Sequence, residues 1–498
     1  MYISTRNNSD KVKASQAIKT GMVPQGGLYV PENIPLLDQK EIYDIKGSGY
    51  NALAVKILTL FLDDYTQEEV AECVNKAYNK ENFLDPDIAP IKKLDNDTFI
   101  MELWHGPTAA FKDIALQIMP YLLVKAIAKT GTVKETVILV ATSGDTGKAA
   151  LEGFRDVPGI RIIVFYPYEG VSKVQELQMN TTEGNNTSVV AVRGNFDDCQ
   201  QAVKNIFADP IFRKELESRG FELSSANSIN WGRLLPQIVY YFHAYLDLLA
   251  KKAISEGEKI NFVVPTGNFG NILAGWYAQA MGLPINKLIC ASNENNVLTD
   301  FFTTGSYKSQ RPFIKTVSPS MDILISSNLE RFLFEITDHD GDRVKSWMDD
   351  LAEQGSFEVQ PEYMKRIGLV LSSGWADETK TLDTIRRWFD RTGYVLDTHT
   401  AVGVQVYEDY CAVSGDRTKT IIDATASPFK FNTSVLKAIK GDPAVIDKNE
   451  IEILHELSKV IKQPVHPSLL NLDKKTIRHK RVCAKEEIKT VLTDILGI

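Results

Sequence analysis

Three short stretches hold residues that could do chemistry together: a lysine in "LWHGPTAAFKDIALQ" (residues 103–117), a glycine-rich turn in "VVPTGNFGNILAGW" and a small polar turn in "VATSGDTGKAALE". Lys112 belongs to a predicted helix, since no breaker stands between Pro107 and Pro120. Thr108 is its expected cap, the hydroxyl accepting from an unpaired N–H of the first turn. At helical spacing Lys112 shares a stripe with Leu116, Met119 and Leu123, and Phe111, Ala115, Ile118 and Leu122 form the adjoining stripe. Only Asp113 and Gln117 offer this turn a wet edge. Burial and the positive end of the helix dipole both disfavour an ammonium, so Lys112 should hold its proton weakly and present a nucleophilic amine. The alternative is a packed stem whose ammonium snorkels to water.

In the glycine-rich turn a β-rich run ends at Pro265, Gly267 and Gly270 allow close backbone approach, and a helix starts near Asn271. Successive N–H groups there make an anion cup suited to a phosphate. It is not the dinucleotide fingerprint, because Phe269 stands where G-x-G-x-x-G needs its second glycine. A turn that is merely tight is the alternative. The polar turn is not a P-loop either, since Thr142 and Ala149 replace the required glycine and Ser or Thr. What remains is Ser143, Gly144, Asp145, Thr146 and Gly147 at a helix start. They could hold a second anion such as a substrate carboxylate, or simply cap the helix.

Metal chemistry finds no support. "DHDGD" (338–342) puts Arg343 and Asp349 where a calcium loop needs Gly and Glu, and Asp397 and His399 of "DTHTAVG" are only two apart. No G-x-S-x-G is present. An amine that forms an imine, together with N–H donors for a phosphate, is the set that pyridoxal 5'-phosphate requires.

The elements that must position these turns are legible as alternating β-rich runs and helical patterns from about residue 95, among them "IRIIVFYPYEG", "TSVVAVRGNFDDCQQAVKNIF", "KLICASNENN", "YVLDTHTAVGVQVYEDY" and "TIIDATASPF". Several runs are apolar without alternation, as strands covered on both faces are. This predicts an α/β fold with a parallel sheet, helices on both sides and ligands at the carboxyl ends of the strands. The expected organisation is an N-terminal domain over 1–95, a catalytic core of two subdomains over 96–430 and a helical C-terminal extension over 431–498.

With 498 residues, 44% apolar and 24% charged, the chain has ample material for several cores. A net charge of −8 without a basic block argues against nucleic-acid partners, and the short "RHKR" reads as a solvated surface. Five scattered cysteines fit a reducing compartment. The N-terminus lacks a signal-like apolar run, and no stretch approaches the roughly 20 apolar residues that span a bilayer. A cytoplasmic protein with no membrane partner is expected.

The sequence also resembles a known family, the threonine synthases, in particular their long fungal and enterobacterial-type branch. The likeness runs through "YISTR", "GGLYVPENIP", "LWHGPTAAFKD", "ATSGDTG", "NSINWGRLLPQ", "VPTGNFGN", "MDILISSNLERF", "DTHTAVG" and "ATASPFKF". It implies the fold of type II pyridoxal-phosphate enzymes, similar to the tryptophan synthase β subunit, and a reaction that converts O-phospho-L-homoserine and water to L-threonine and phosphate. It implies that Lys112 carries the cofactor, that Gly267, Asn268, Phe269, Gly270 and Asn271 hold its phosphate, and that Thr425 offers a hydroxyl to its pyridine nitrogen. Ser143, Gly144, Asp145 and Thr146 would meet the substrate's carboxylate or phosphate, with Lys173, Asn230 and Arg233 as candidates for the substrate phosphate. The family pattern "TAHPAKF" often has His where this chain has Ser427, so Ser427 receives no catalytic role, and Asp113 is left as structural. No effector motif is visible, and a monomer or homodimer is expected. A threonine or serine dehydratase on the same scaffold, and a catalytically silent homologue, are the competing readings.

Overall fold

The computed structural model describes residues 1–131 and 133–498. The chain opens with an antiparallel pair, β1 (Tyr2–Ser4) and β2 (Tyr29–Pro31), and then enters a larger sheet with β3 (Ile91–Lys93) and β4 (Thr98–Glu102). A smaller sheet takes β5 (Glu135–Ala141), β6 (Ile160–Pro167), β7 (Thr187–Arg193) and β8 (Phe221–Ser225). The chain returns to the larger sheet with β9 (Ile260–Pro265) and β10 (Ile285–Ser292), forms a small antiparallel pair from β11 (Ser306–Lys308) and β12 (Ser356–Glu358), and completes the larger sheet with β13 (Leu371–Trp375) and β14 (Thr420–Ala424). A last strand, β15 (Arg481–Ala484), goes back to the smaller sheet. The larger sheet reads β13-β10-β9-β14-β4-β3 and the smaller β15-β7-β6-β5-β8. Every pairing in the two is parallel except β3 with β4.

The unbroken apolar runs have the expected cause. Along β9, Phe262 and Val264 face one core while Val263 faces another, and along β5, Ile138 and Val140 face one core while Val137 and Leu139 face another. Side chains alternate between faces as in any strand, but both faces are covered, so both must be apolar. The N-terminal layer is tied to the site-bearing helices by buried hydroxyls. Tyr78 donates to the Ile114 carbonyl at 2.8 Å, Tyr65 to Leu122 at 2.9 Å, and Tyr2 packs edge-on to Trp231.

Two expectations change. "YVLD" at 394–397 forms no strand; its Asp397 instead caps the helix Thr398–Ser414, accepting from the N–H groups of His399 and Thr400. The segment 431–498 is not purely helical. Its first helices cover the larger sheet through Val435, Leu436, Leu454 and Leu457, and then β15 pairs with β7 and the helix Ile488–Leu496 covers the smaller sheet. A four-residue edge strand carries too little pattern to be read from sequence.

The helix from Lys112 runs to Lys129 straight through Pro120. Proline has no N–H to give Leu116, four residues back. Gly153 approaches that carbonyl so closely that a Cβ on it would lie 2.0 Å from the Leu116 oxygen. Gly153→Ala should therefore cost about 1–3 kcal/mol by overpacking, read as a lower urea midpoint at unchanged slope; an unchanged midpoint would mean that the two helices can move apart freely.

Candidate active site

Strands β9, β14 and β4 are neighbours running in the same direction, so their carboxyl ends open side by side. After β4, the segment leading to Lys112 is held against the end of β14 and the segment after it by a row of backbone bonds. Leu103 N–H donates to Ala424, Phe111 N–H to Thr425, and Ser427 N–H to Ala109. Ala109 adopts φ +62°, a left-handed conformation unusual for alanine, within this bridge. Lys112 and Thr425 are thus placed together by strand order.

The start of the Lys112 helix corrects two expectations. Thr108 does not cap it, because the helix begins at Lys112 itself and Thr108 lies four residues upstream. The polarity is reversed: the Asp113 carboxylate accepts from the Thr108 N–H at 2.8 Å and from its hydroxyl at 2.7 Å. Asp113 does not lie on a wet edge. It is fully buried, Gln117 is buried too, and burial pushes the Asp113 carboxyl up to about 6. The helical pattern failed here because residues 113–120 are all buried, so this half of the helix has no wet face. Gly106 has to be glycine, since a Cβ there would lie 2.4 Å from that of Asp113.

The Lys112 side chain is 12% exposed, so it does not snorkel; its Nζ lies 3.8 Å from Asp145 Oδ2 and 4.8 Å from the centre of the Phe111 ring. Burial lowers its pKa to about 8, a fall that Asp145 partly opposes. The expected weak hold on the proton is present.

At the end of β9, the N–H groups of Gly267, Asn268, Phe269, Gly270 and Asn271 have no acceptor among the described residues. The residue with positive φ in this turn is Phe269, at +62°, rather than either glycine. Its buried ring, packed on Phe302 and Phe332, holds it there. The outer edge is clamped by Asn328, whose backbone and side-chain N–H groups both donate to the Asn268 carbonyl. Below, Asn271 accepts from the Tyr240 and Tyr241 hydroxyls and donates to Asp423 Oδ2 at 3.0 Å. Asp423, fully buried on β14, is pushed up to about 8.

After β5, the Thr142 hydroxyl accepts from the N–H groups of Gly144 and Gly147, which leaves those of Ser143, Asp145 and Thr146 without acceptors among the described residues. Gly144 has φ +131°, and Gln175 fills the space a side chain would take. The Asp145 carboxylate is not free to meet an anion. It accepts from Lys430 Nζ at 2.8 Å, from Gln175 at 2.9 Å and from Ser320 at 3.1 Å, with Lys112 beside it. Burial would raise its pKa, but Lys430 and Lys112 hold it well below the usual carboxylate range.

The remaining candidates separate. Arg233 lines the cleft, fully buried; Nη1 donates to the Ala226 carbonyl at 2.5 Å, Nε has no partner among the described residues, and burial lowers its pKa to about 10. Asn230 is spent on structure, bonding Ile18, Ser225 and Gly232. Lys173, 60% exposed and paired with Glu176, is not among the residues lining the cleft. Asp397 and His399 are likewise committed: Nδ1 pairs with the Asp397 carboxylate while Nε2 accepts from Ser320 N–H, which fixes the serine that reaches Asp145.

Lys430 and Asp423 were missed as functional residues by reasoning from sequence. Each is a lone charged residue whose partner lies on a distant element, and spacing carries no signal for such a pair.

Lys112, Thr425, Arg233, the five residues of the cup, Ser143 and Thr146 line one cleft of about 430 Å³. The residues fit pyridoxal phosphate: a loosely protonated amine, a row of unpaired N–H donors for its phosphate, and a hydroxyl one strand away.

Comparison with known proteins agrees with this chemistry. Residues 1–78 match the family described as threonine synthase N terminus, 87–422 the pyridoxal-phosphate dependent enzymes, and 400–489 the threonine synthase C-terminal family. The chain is 38% identical to threonine synthase of Pseudomonas aeruginosa, over 88% of this chain and 90% of that one. It is 38% identical to threonine synthase-like 1 of Homo sapiens, over 97% of this chain and 67% of the other. The crystal structure of PLP-bound threonine synthase from Brucella melitensis superposes with a TM-score of 0.87 at 34% identity, covering 100% of this chain and 98% of that one.

The buried Asp423 has a measurable consequence. Its folded pKa lies above the ordinary carboxyl value of 3.8, so between about pH 4 and 8 the folded chain keeps a proton that the unfolded chain releases, and stability falls as pH rises. The slope is at most about 1.4 kcal/mol per pH unit. Asp423→Asn should flatten it in urea unfolding across that range; an unchanged slope would mean that Asp423 is ionised in the folded protein.

Proposed function

The chain belongs to the threonine synthase family, and on that premise we propose the part each cleft residue plays in converting O-phospho-L-homoserine and water to L-threonine and phosphate. What supports the assignment most is a single convergence: an amine that releases its proton readily and two rows of unpaired N–H donors open into one cleft.

Lys112 holds pyridoxal 5'-phosphate, the N–H groups of Gly267 to Asn271 take its phosphate, and the Thr425 hydroxyl meets its ring nitrogen. When bound, the cofactor supplies a sink for the negative charge that develops on the substrate's carbons. The Lys112 amine is the base that removes the proton from the substrate Cα and returns one later, a task suited to a pKa near the working pH. Loss of a β-proton expels the γ-phosphate, a proton is delivered to Cγ, and water adds at Cβ.

Two sites are available for the substrate's anionic ends. The N–H groups of Ser143, Asp145 and Thr146 take the carboxylate, Asp145 contributing its backbone while its side chain serves the lysines. Arg233 takes the phosphate: a buried guanidinium with no carboxylate of its own gains most from a dianion. Asn230 and Lys173 have no part in this scheme.

The working organisation is an N-terminal domain over 1–95, the core over 96–430 and the C-terminal segment 431–498. The protein acts on a small molecule, as a cytoplasmic monomer or homodimer without nucleic-acid or membrane partners. The net charge of −8 supports the first exclusion. Among the described residues no helix is long and apolar enough to cross a membrane.

The test is phosphate release from O-phospho-L-homoserine set against keto-acid release from L-threonine. The first should dominate, and a protein that only deaminates threonine would overturn the assignment. Lys112→Ala should fold normally and lose at least about a thousandfold in turnover; milder loss would remove Lys112 from its central role.

A further inference from the structure

Behind the lining of the cleft lies a second buried lysine that the scheme above leaves idle. Lys430 follows β14 in the short turn Pro428–Phe431, its side chain fully buried. Its Nζ donates to Asp145 Oδ1 at 2.8 Å and to the Thr108 carbonyl at 3.0 Å. Lys112 lies on the other oxygen of the same carboxylate, 3.8 Å from Oδ2. One buried anion therefore serves two cations, and the closer bond belongs to the lysine that does no chemistry.

We propose that Lys430 is a positioning residue for the Lys112 amine, acting through Asp145: by saturating that carboxylate it denies Lys112 a private counter-ion and keeps its amine free of a proton. A carboxylate paired with one lysine alone would stabilise that lysine as an ammonium, which is useless as a base. With Lys430 in place, protonating Lys112 gives the buried trio a net positive charge, and leaving Lys112 neutral gives a balanced pair.

Other groups around the trio do not reverse this balance. Arg233, on the helix Trp231–Ala250, adds positive charge toward Lys112 and acts in the same direction as Lys430. Asp113, on the helix of Lys112, opposes it, but its own carboxyl is raised and spent on Thr108. The remaining partners of Asp145, Gln175 and Ser320, are neutral. Near Lys430, burial pushes His466 down to about 3, so it brings no charge at neutral pH. His105 pairs with Glu102.

The inference rests on the proposed role of Lys112 as the base, and its test needs no turnover. In the full-length chain freed of cofactor, the Lys112 amine is titrated by competitive acetylation across pH and quantified by mass spectrometry. Lys430→Gln, which keeps a donor for Thr108 and Asp145 but removes the charge, should raise the Lys112 pKa by about one unit or more, so that the amine reacts about tenfold more slowly at neutral pH. Lys430→Arg, which keeps the charge, should restore the native titration, and Asp145→Asn should shift it in the opposite direction, downward. A Lys112 titration unmoved by Lys430→Gln would overturn the proposal. So would equal shifts from Gln and Arg, which mark a structural role. Should Lys430→Gln not fold, Asp145→Asn decides alone, and a Lys112 pKa that fails to fall rejects the idea. A chain inactive on phosphohomoserine whose Lys112 still shifts as expected would reject the proposed reaction and leave this inference standing.

Discussion

The cleft is organised around a shortage of negative charge. Three basic side chains, Lys112, Arg233 and Lys430, are withdrawn from water in or beside one cavity, and a single committed carboxylate, Asp145, answers them. Desolvation penalises every unpaired buried cation. It shows in the lowered proton affinities of Lys112 and Arg233, neither of which has a carboxylate to itself. A folded chain tolerates such an excess because something anionic settles there. Here unpaired N–H groups at two turns add partial positive charge to that of the basic side chains. A phosphate-bearing cofactor and a phosphate-bearing substrate relieve that imbalance when they bind, so their charge is part of their recognition.

The sheets meet this need through topology more than through side chains. In a parallel sheet all strands end on the same side, and the connections leaving neighbouring strands must share the space beyond. Because β14 lies between β9 and β4, strand order brings the cup, the Thr425 hydroxyl and the Lys112 amine together, and side-chain bonds such as Asn271 to Asp423 and Lys430 to Thr108 then fix them there. The fine placement costs backbone strain at Ala109 and Phe269, both at positive φ. Each is over-determined by its surroundings, Ala109 by the bridge to Ser427 and Phe269 by the aromatic cluster around its ring.

What could be read from the sequence follows the range of the forces involved. The strands were legible because burial on both faces writes apolar runs several residues long, and the two turns because glycines and small polar residues mark helix starts. The apolar stripe beneath Lys112 was legible, but it did not decide between a buried amine and one that snorkels to water. Asp113 was misplaced because a helical wheel assumes that one face meets water, whereas this helix has the N-terminal layer on one side and the sheet core on the other. Phe269 was noted only as the residue that breaks the dinucleotide fingerprint, because propensity cannot see a ring anchored by Phe302 and Phe332 that holds its backbone at positive φ. The pairs Lys430 with Asp145 and Asn271 with Asp423 join elements far apart in the chain, and nothing local announces them. The family resemblance named Lys112 and the cup, yet it also suggested Lys173, whose side chain lies at the surface with Glu176.

Asp145 also links charge to architecture. It opens the helix Asp145–Phe154, which follows β5 of the smaller sheet, whereas Lys112 and Lys430 leave β4 and β14 of the larger one. The trio therefore spans the seam between the two sheets, and Ser320, fixed by His399, adds a third attachment from the larger side. Removing one partner from a buried ion pair costs roughly 3–5 kcal/mol, so sliding the sheets apart along this seam would strand both lysines and the carboxylate together. The chain's last segment crosses the same seam, covering the larger sheet with its first helices and pairing β15 with the smaller. The relative placement of the two halves and the proton affinity of the reactive amine thus depend on one cluster. Any substitution that alters the balance of charge at Asp145 acts on both at once.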